Sequence, residues 1–390
     1  MNKLVAERIS SNWLDDSKRA DPAEVMIHMG CIQGQDYQSA LWAIGMRSKP
    51  GTTFRNVEAA FSDRKIVRTW LLRGTIHIAD ATNVKWISKL LSPGLLKLAL
   101  KREANRGIEP EKIRKIEEIF MGRLKKEHQL SRTDMYRLLE ESGESPENNF
   151  GYHMLYRAAW DGIICYGDRK GDEDTFALRD EWINDGINLE GNNAIVSLAK
   201  LYFASHGPAS LSDFAWWSGL KMKEIRTALN ENPEIFHHWK DNPKLIHYDE
   251  DNSHDKYPEN SVKLLPAYDE YFIGYADRSF IFNDKLKGYL SKDLPIYDVK
   301  FPVLTSNKEG GDAQNESVSI IHKNGIFQPL VLVDGQIAGT WTKKVTKDGM
   351  TLTIMPFQKF SYSEVSKLED EVGKYGKFFE ANIKLTILGK

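Results

Sequence analysis

Residues 31–47 read CIQGQDYQSALWAIGMR, and the rest of the chain is organised around them. Gln33 and Gln35 flank Gly34 just ahead of an amphipathic run. Residues two apart point to opposite sides of a helix but share a face in extended chain or in a turn. Gly34 supplies the backbone freedom that a turn needs. Asp36 is placed to cap a helix from Tyr37 to about Met46, with Ala40, Leu41 and Ile44 on its apolar stripe. The stretch is expected to present two uncharged amides side by side where a helix begins. An isolated Q-x-Q is more often a pair of solvated amides, so a functional reading has to draw on the surrounding chain.

Upstream, Asp21 or Pro22 opens a helical pattern, PAEVMIHMG, with proline where its missing N–H costs little. Downstream, Phe54 to Phe61 reads as a third short helix. Ile66–Leu72 and Thr75–Ile78 follow as strand-like runs joined at Arg73-Gly74. Helix, turn, helix, helix and hairpin is the order of a winged helix, a relative of the helix-turn-helix DNA readers. The order returns. Ser131 or Thr133 leads into DMYRLLEES, Asn149–Asp161 forms a second helix, and Ile163–Tyr166 and Thr175–Leu178 are short strands joined by GDRKGDED. It returns again near Asn193: Ala194–Ser205 is a helix broken by His206-Gly207-Pro208. Ser210 or Ser212 then caps LSDFAWWSG, Gly219 marks a turn, and Leu220–Leu229 carries Lys221, Lys223 and Arg226.

From Val262 the chain changes character. LLPAYDEYFIGYADR is apolar and aromatic, PLVLVDGQIAGTW and MTLTIMPF alternate like strands, and Asp334-Gly335 signals a hairpin. A closing helix is expected over Ser361–Tyr375. The expected fold is α+β: three tandem winged helices at 1–106, 107–192 and 193–258, followed by a β-rich C-terminal domain at 259–390.

The 390 residues are long enough for several packed cores. The N-terminus lacks the apolar core of a signal peptide, and no apolar run is long enough to span a bilayer, so a cytoplasmic protein is expected. Cys31 and Cys165 make no zinc or redox spacing. His237, His238, His247 and His254 fall in an acidic, loop-rich segment without ligand spacing, so no metal or cofactor is expected. The net charge of −2 does not announce a nucleic-acid binder. It conceals an uneven distribution, however: from Arg47 to Arg106 there are 13 Lys/Arg against 4 Asp/Glu. Lys97, Lys101, Arg102 and Arg106 lie along one basic helical stretch and are the best-placed residues for DNA-backbone binding. Arg73 and His77, in the LLRGTIH hairpin, are further candidates for a phosphate contact. Arg169 and Lys170 are weaker ones, because Asp168, Asp172, Glu173 and Asp174 surround them.

Five stretches carry a resemblance: QGQDYQSALWAIGMR, VRTWLLRGTIHIADA, FGYHMLYRAAWDGIICYG, HGPASLSDFAWWSGL, and LLPAYDEYFIGYADRS with the later VLVDGQIAGTW. In this order the chain resembles the AlkZ-type winged-helix DNA glycosylases, a family that includes YcaQ-like proteins. The resemblance covers nearly the whole chain. It implies three tandem winged helices and a β-rich domain around a concave DNA channel. It also implies that a glutamine–hydrophobic–glutamine motif excises N-alkylated purines, crosslinked ones included. Gln33 and Gln35 match its outer positions; Gly34 departs from the hydrophobic middle one.

The residue types suit that chemistry. An amide is no general base near neutral pH, but it donates and accepts hydrogen bonds. A purine alkylated at N7 or N3 already carries positive charge and leaves as a neutral base. Orienting a water and turning amide-oxygen dipoles toward the cationic sugar then suffices. Asp36 could assist electrostatically, although a helix cap is its more ordinary role. No lysine stands in the motif to form a Schiff base, so a monofunctional hydrolase is expected. It would work as a monomer on duplex DNA with alkylated bases, nucleoid-associated when bound and without an obligate protein partner. The alternatives are a non-catalytic winged-helix DNA-binding regulator and, more remotely, a protein-interaction scaffold.

Overall fold

Two consecutive stretches of the chain build the same arrangement of elements. The structure is a computed structural model that describes residues 2–15, 20–183, 186–248, 261–290, 299–304, 317–322, 324–347 and 349–389. His254 and the boundary expected at 258–259 lie outside the described residues.

Helices α1 (Lys3–Ser11) and α2 (Pro22–Met29) lead into strand β1 (Cys31–Gln33), helices α3 (Tyr37–Gly45) and α4 (Phe54–Ser62), and strands β2 (Ile66–Trp70) and β3 (Ile76–Asp80). The Asp21 side chain accepts the N–H groups of Ala23 and Glu24 and so starts α2. Asp36 does the same for α3 through the Ser39 N–H at 2.7 Å. The three strands pair antiparallel with β3 in the centre, and β1 is the strand that glycine-centred turn reasoning misses. The 25-residue helix α5 (Ala81–Asn105) then crosses to the second stretch.

That stretch comprises α6 (Pro110–Glu127), β4 (Gln129–Ser131), α7 (Arg132–Glu141), α8 (Phe150–Trp160), β5 (Ile164–Tyr166) and β6 (Thr175–Leu178), again with the last strand central in an antiparallel sheet. Ser131 caps α7. A short α9 (Arg179–Trp182) precedes a third group, α10 (Gly191–His206), α11 (Leu211–Ser218) and α12 (Met222–Asn230). Ser210 caps α11, and Gly219 ends it in the left-handed conformation. The described part of the acidic, loop-rich segment forms a hairpin of β7 (His237–Trp239) and β8 (Asn242–His247), with His237 opposite His247. Ala209 bridges to Ile246 on its other edge.

The remaining elements are β9 (Val262–Leu265), α13 (Glu270–Ile273), α14 (Asp284–Lys287), β10 (Phe301–Pro302), β11 (Ser317–Val318), β12 (Leu330–Val333), β13 (Gln336–Thr346), β14 (Gly349–Pro356), α15 (Tyr362–Phe378) and β15 (Ile383–Ile387). A five-stranded sheet runs β15-β14-β13-β12-β9, antiparallel except for β14 with β15. The fold is mixed α+β.

This C-terminal sheet does not stand apart from the first stretch. Ile32, Trp42 and Ile44 share one buried cluster with Leu264, Ile354, Tyr375 and Phe378. Trp42 packs edge-on against Tyr375, ring centroids 5.1 Å apart, and its Nε1–H donates to the Leu264 carbonyl at 2.8 Å. Burying such a ring contributes about 2–3 kcal/mol, and its N–H is satisfied. Trp70 and Trp86 are likewise core residues.

Candidate active site

The backbone of Gln33–Gln35 is held from three directions. Gln33 ends β1 opposite His77 of β3, and the Gly34 N–H donates to the Ile76 carbonyl at 2.8 Å. The Gly34 carbonyl accepts from Arg68 Nε at 2.9 Å. Arg68 in turn binds Asp174 of the second stretch at 2.7 Å, which neutralises part of the acidic tip GDRKGDED. The Gln33 N–H donates to Glu270 Oε1 at 3.0 Å. Gly34 lies outside the left-handed region, contrary to the turn reading. Its small size serves a close approach: a Cβ there would sit 3.2 Å from Ile78 Cγ1.

Where β1 ends, the two glutamines meet on one face, with Gln35 at a bend. The Gln33 side chain, 7% exposed, grips Gln35 at two points. Its Nε2 donates to Gln35 Oε1 at 3.3 Å, and its Oε1 accepts the Gln35 N–H at 3.2 Å. Gln35 itself is exposed. The inner amide therefore sets the orientation of the outer one, which faces solvent.

Beneath the pair lies a buried polar group that the sequence does not advertise. Glu270 is 1% exposed; its Oε2 accepts from Trp217 Nε1 at 3.0 Å and lies 3.6 Å from His206 Nε2. Burial works to raise its pKa, but the facing His206, then His77 and Arg73, hold the carboxyl below its ordinary value. The adjacent residue, Asp269, forms a buried two-pronged ion pair with Arg47, at 2.8 and 2.9 Å. Thus consecutive carboxylates of YDEY hold the first glutamine and the last arginine of the QGQDYQSALWAIGMR stretch.

The candidate DNA-contacting residues separate. His77 is fully buried, with Nδ1 2.9 Å from the Thr75 carbonyl and Nε2 unpartnered. Burial, then Arg73, lowers its pKa to about 4, so the ring is neutral at neutral pH and is not placed to touch a phosphate. Arg73 is half-buried in the β2–β3 turn with a left-handed φ of 53°. Its Nη1 donates to the carbonyls of Trp216 and Trp217 at the end of α11. Lys97, Lys101 and Arg102 are exposed on the second half of α5, alternating with exposed Leu98 and Leu100, and Arg106 donates to the Asn148 carbonyl at 2.9 Å. Leu95 of the same helix packs beside Gly74, so this basic strip starts next to the Arg73 turn. Asp36 is occupied as the α3 cap.

The model of the family described as DNA glycosylase AlkZ-like matches residues 26–305 and 312–378. The chain belongs to the AlkZ-like DNA glycosylase family. An interstrand DNA cross-link repair glycosylase of Streptomyces sahachiroi is 21% identical over 389 residues, which span 95% of this chain and 94% of that one. The solved structure of Streptomyces sahachiroi DNA glycosylase AlkZ shares the fold at a TM-score of 0.74 and 18% identity, covering 99% of this chain and 98% of that one. Within this AlkZ-like chain no group of three or more His, Cys, Asp or Glu side chains suited to a metal ion occurs among the described residues. No described helix is long and apolar enough to cross a membrane.

Proposed function

We propose that this protein is a monofunctional glycosylase that hydrolyses the N-glycosidic bond of N-alkylated, cationic purines in duplex DNA, extending to interstrand crosslinks. The observation that carries the reading is the gripped amide pair: Gln33 orients Gln35, and Gln35 meets solvent. Each of the three helical stretches serves as a winged helix, lining a concave channel with the basic face of α5, where Lys97, Lys101, Arg102 and Arg106 take backbone phosphates. The protein acts as a monomer.

In the reaction, the C1′–N bond breaks and its electron pair neutralises the alkylated purine, which leaves. The oxygen of a water, held by the amides, bonds to C1′, and one water proton passes to solvent. The products are the free base and an abasic deoxyribose. Gln33 and Gln35 place the water and turn carbonyl dipoles toward the oxocarbenium-like sugar. Fixed dipoles are worth most where water is excluded, and the buried Glu270 beneath them keeps them fixed. A neutral His77 suits the same purpose, since an imidazolium beside Gln33 would oppose a cationic transition state.

The test is release of free base from duplex DNA containing 7-methylguanine. Gln33→Ala or Gln35→Ala should lower release by about a hundredfold or more, with duplex binding retained at matched salt. A non-catalytic regulator, which Gly34 in the middle position of the motif favours, predicts binding without release from methylated or crosslinked duplex alike.

A further inference from the structure

Two arginines converge on one exposed indole near the end of α11. Trp216 of α11 is 45% exposed, an unusual position for so large a ring. Its Nε1–H is tied to the Ile273 carbonyl at 3.1 Å, so the ring is held rather than free. The guanidinium carbons of Arg73 and Arg278 lie 5.9 and 5.2 Å from its centroid. Neither arginine has a carboxylate within salt-bridge distance among the described residues. Arg278 spends Nε on the Phe272 carbonyl at 2.8 Å, whereas its Nη2 is buried without a partner. Burial, then the charge of Arg73, lowers Arg278 to about 10.

Arg73 is kept there against its backbone preference. Its φ of 53° is left-handed, and such residues persist where the surroundings over-determine them. The cluster is also wired to the glutamines: Arg73 donates to the Trp217 carbonyl, the Trp217 indole donates to Glu270, and Glu270 accepts from Gln33. Trp216, Arg73 and Arg278 come from three distant parts of the chain and meet at the end of the sheet where β1 finishes.

Paired guanidinium groups outside salt-bridge distance of a carboxylate can bind a phosphate-type anion, and an oriented indole offers a π-face to a sugar or base. We propose that Arg73, Arg278 and Trp216 form a nucleotide site for the DNA strand entering the Gln33–Gln35 centre, with a phosphodiester between the guanidinium groups and the attached nucleoside against Trp216. The proposal rests on the reading of this protein as a DNA glycosylase. It adds Arg278 and Trp216, which the sequence does not single out, and assigns Arg73 a partner.

The test uses the full chain and a fluorescein-labelled duplex, with and without 7-methylguanine, across a series of KCl concentrations. Arg278→Gln should weaken binding to both duplexes and lower the slope of log affinity against log salt by about one, and Arg278→Lys should restore the slope. Trp216→Ala should weaken binding about tenfold with the salt slope unchanged, and Trp216→Phe should recover most of the loss. Melting temperatures serve as the folding check, and the Lys and Phe variants retain the packing if Gln or Ala do not. Wild-type affinity and salt slope in both Arg278→Gln and Trp216→Ala would overturn the proposal. So would selective thermal stabilisation of the wild type by inorganic phosphate, absent in Arg278→Gln, with duplex binding unchanged, because the site would then hold a free anion. If no base is released by the wild type yet the variants bind DNA less well, the nucleotide site stands and the glycosylase reading falls.

Discussion

Glu270 Oε1 accepts the main-chain N–H of Gln33 at 3.0 Å, joining residues 237 positions apart in the chain. This bond ties the candidate active centre of the first stretch to helix α13. With Asp269 and Arg47 forming the neighbouring link, the Gln33–Arg47 segment is held at both ends by two consecutive residues.

Glu270→Gln tests the seat without changing its size. Both carboxylate oxygens accept N–H groups, from Gln33 and Trp217, and an amide nitrogen placed at either would face a donor with a donor. Losing a charged acceptor at a buried site is expected to cost about 2–3 kcal/mol. Urea denaturation should show that loss. Release of 7-methylguanine should fall by more than duplex affinity does; equal falls in both would argue against a positioning role for Glu270.

Arg47→Met removes one half of the buried pair and leaves Asp269 uncompensated. Such losses cost about 3–5 kcal/mol. The melting midpoint in urea should drop accordingly, whereas a double variant, Arg47→Met with Asp269→Asn, should recover part of the loss. A drop below about 1 kcal/mol in the single variant would mean that the pair is not formed in solution.

Gly34→Ala asks whether the middle position tolerates the side chain that the resemblance leads one to expect. The new Cβ meets Cγ1 of the buried Ile78 at 3.2 Å, which must give by a few tenths of an ångström, and the backbone there needs no left-handed conformation. Stability should change by no more than about 1 kcal/mol, and base release should stay within about threefold of the wild type. Abolished release with an intact fold would show that glycine itself is required.

His77 should be a neutral imidazole, with a single ring N–H, at physiological pH. Its folded pKa of about 4 lies below the ordinary 6.5, so the unfolded chain binds more protons in that window. Its contribution to stability is therefore complete above pH 6.5 and is lost as the pH falls toward 4, by about 1.4 kcal/mol per unit. Glu117, pushed up to about 7 by burial, has the opposite slope over an overlapping window. The pH series should therefore compare the wild type with His77→Gln. The imidazole NMR resonances should stay flat from pH 8 to about 5; a midpoint near 6.5 would contradict the buried neutral ring.

Much of the architecture is written in local rules. The Asp36, Ser131 and Ser210 caps, the helix that begins at Tyr37, the Arg73-Gly74 connection and the Asp334-Gly335 hairpin are found where side-chain chemistry and spacing put them. These signals survive in a sequence because each depends on residues within one or two turns of each other. Strands β1 and β4 escaped because each is only three residues long and pairs with a strand more than forty residues away instead of across a local hairpin, and β7–β8 because polar residues mask the pairing.

The sequence by itself determined most of the helices, several of their caps, and the meeting of Gln33 and Gln35 just ahead of α3. The tertiary structure decided what surrounds them. It buried His77, so that a histidine read as a phosphate contact became a neutral core group. It set Phe378 so close to Gly45 that a Cβ would lie 2.1 Å from the ring, and it brought Glu270 to Gln33 and Arg278 to Trp216. The physical reason is that periodicity and capping are properties of neighbouring residues, whereas these contacts depend on which faces of distant elements meet. A buried carboxylate looks like any other glutamate until the fold supplies the donors that keep it there.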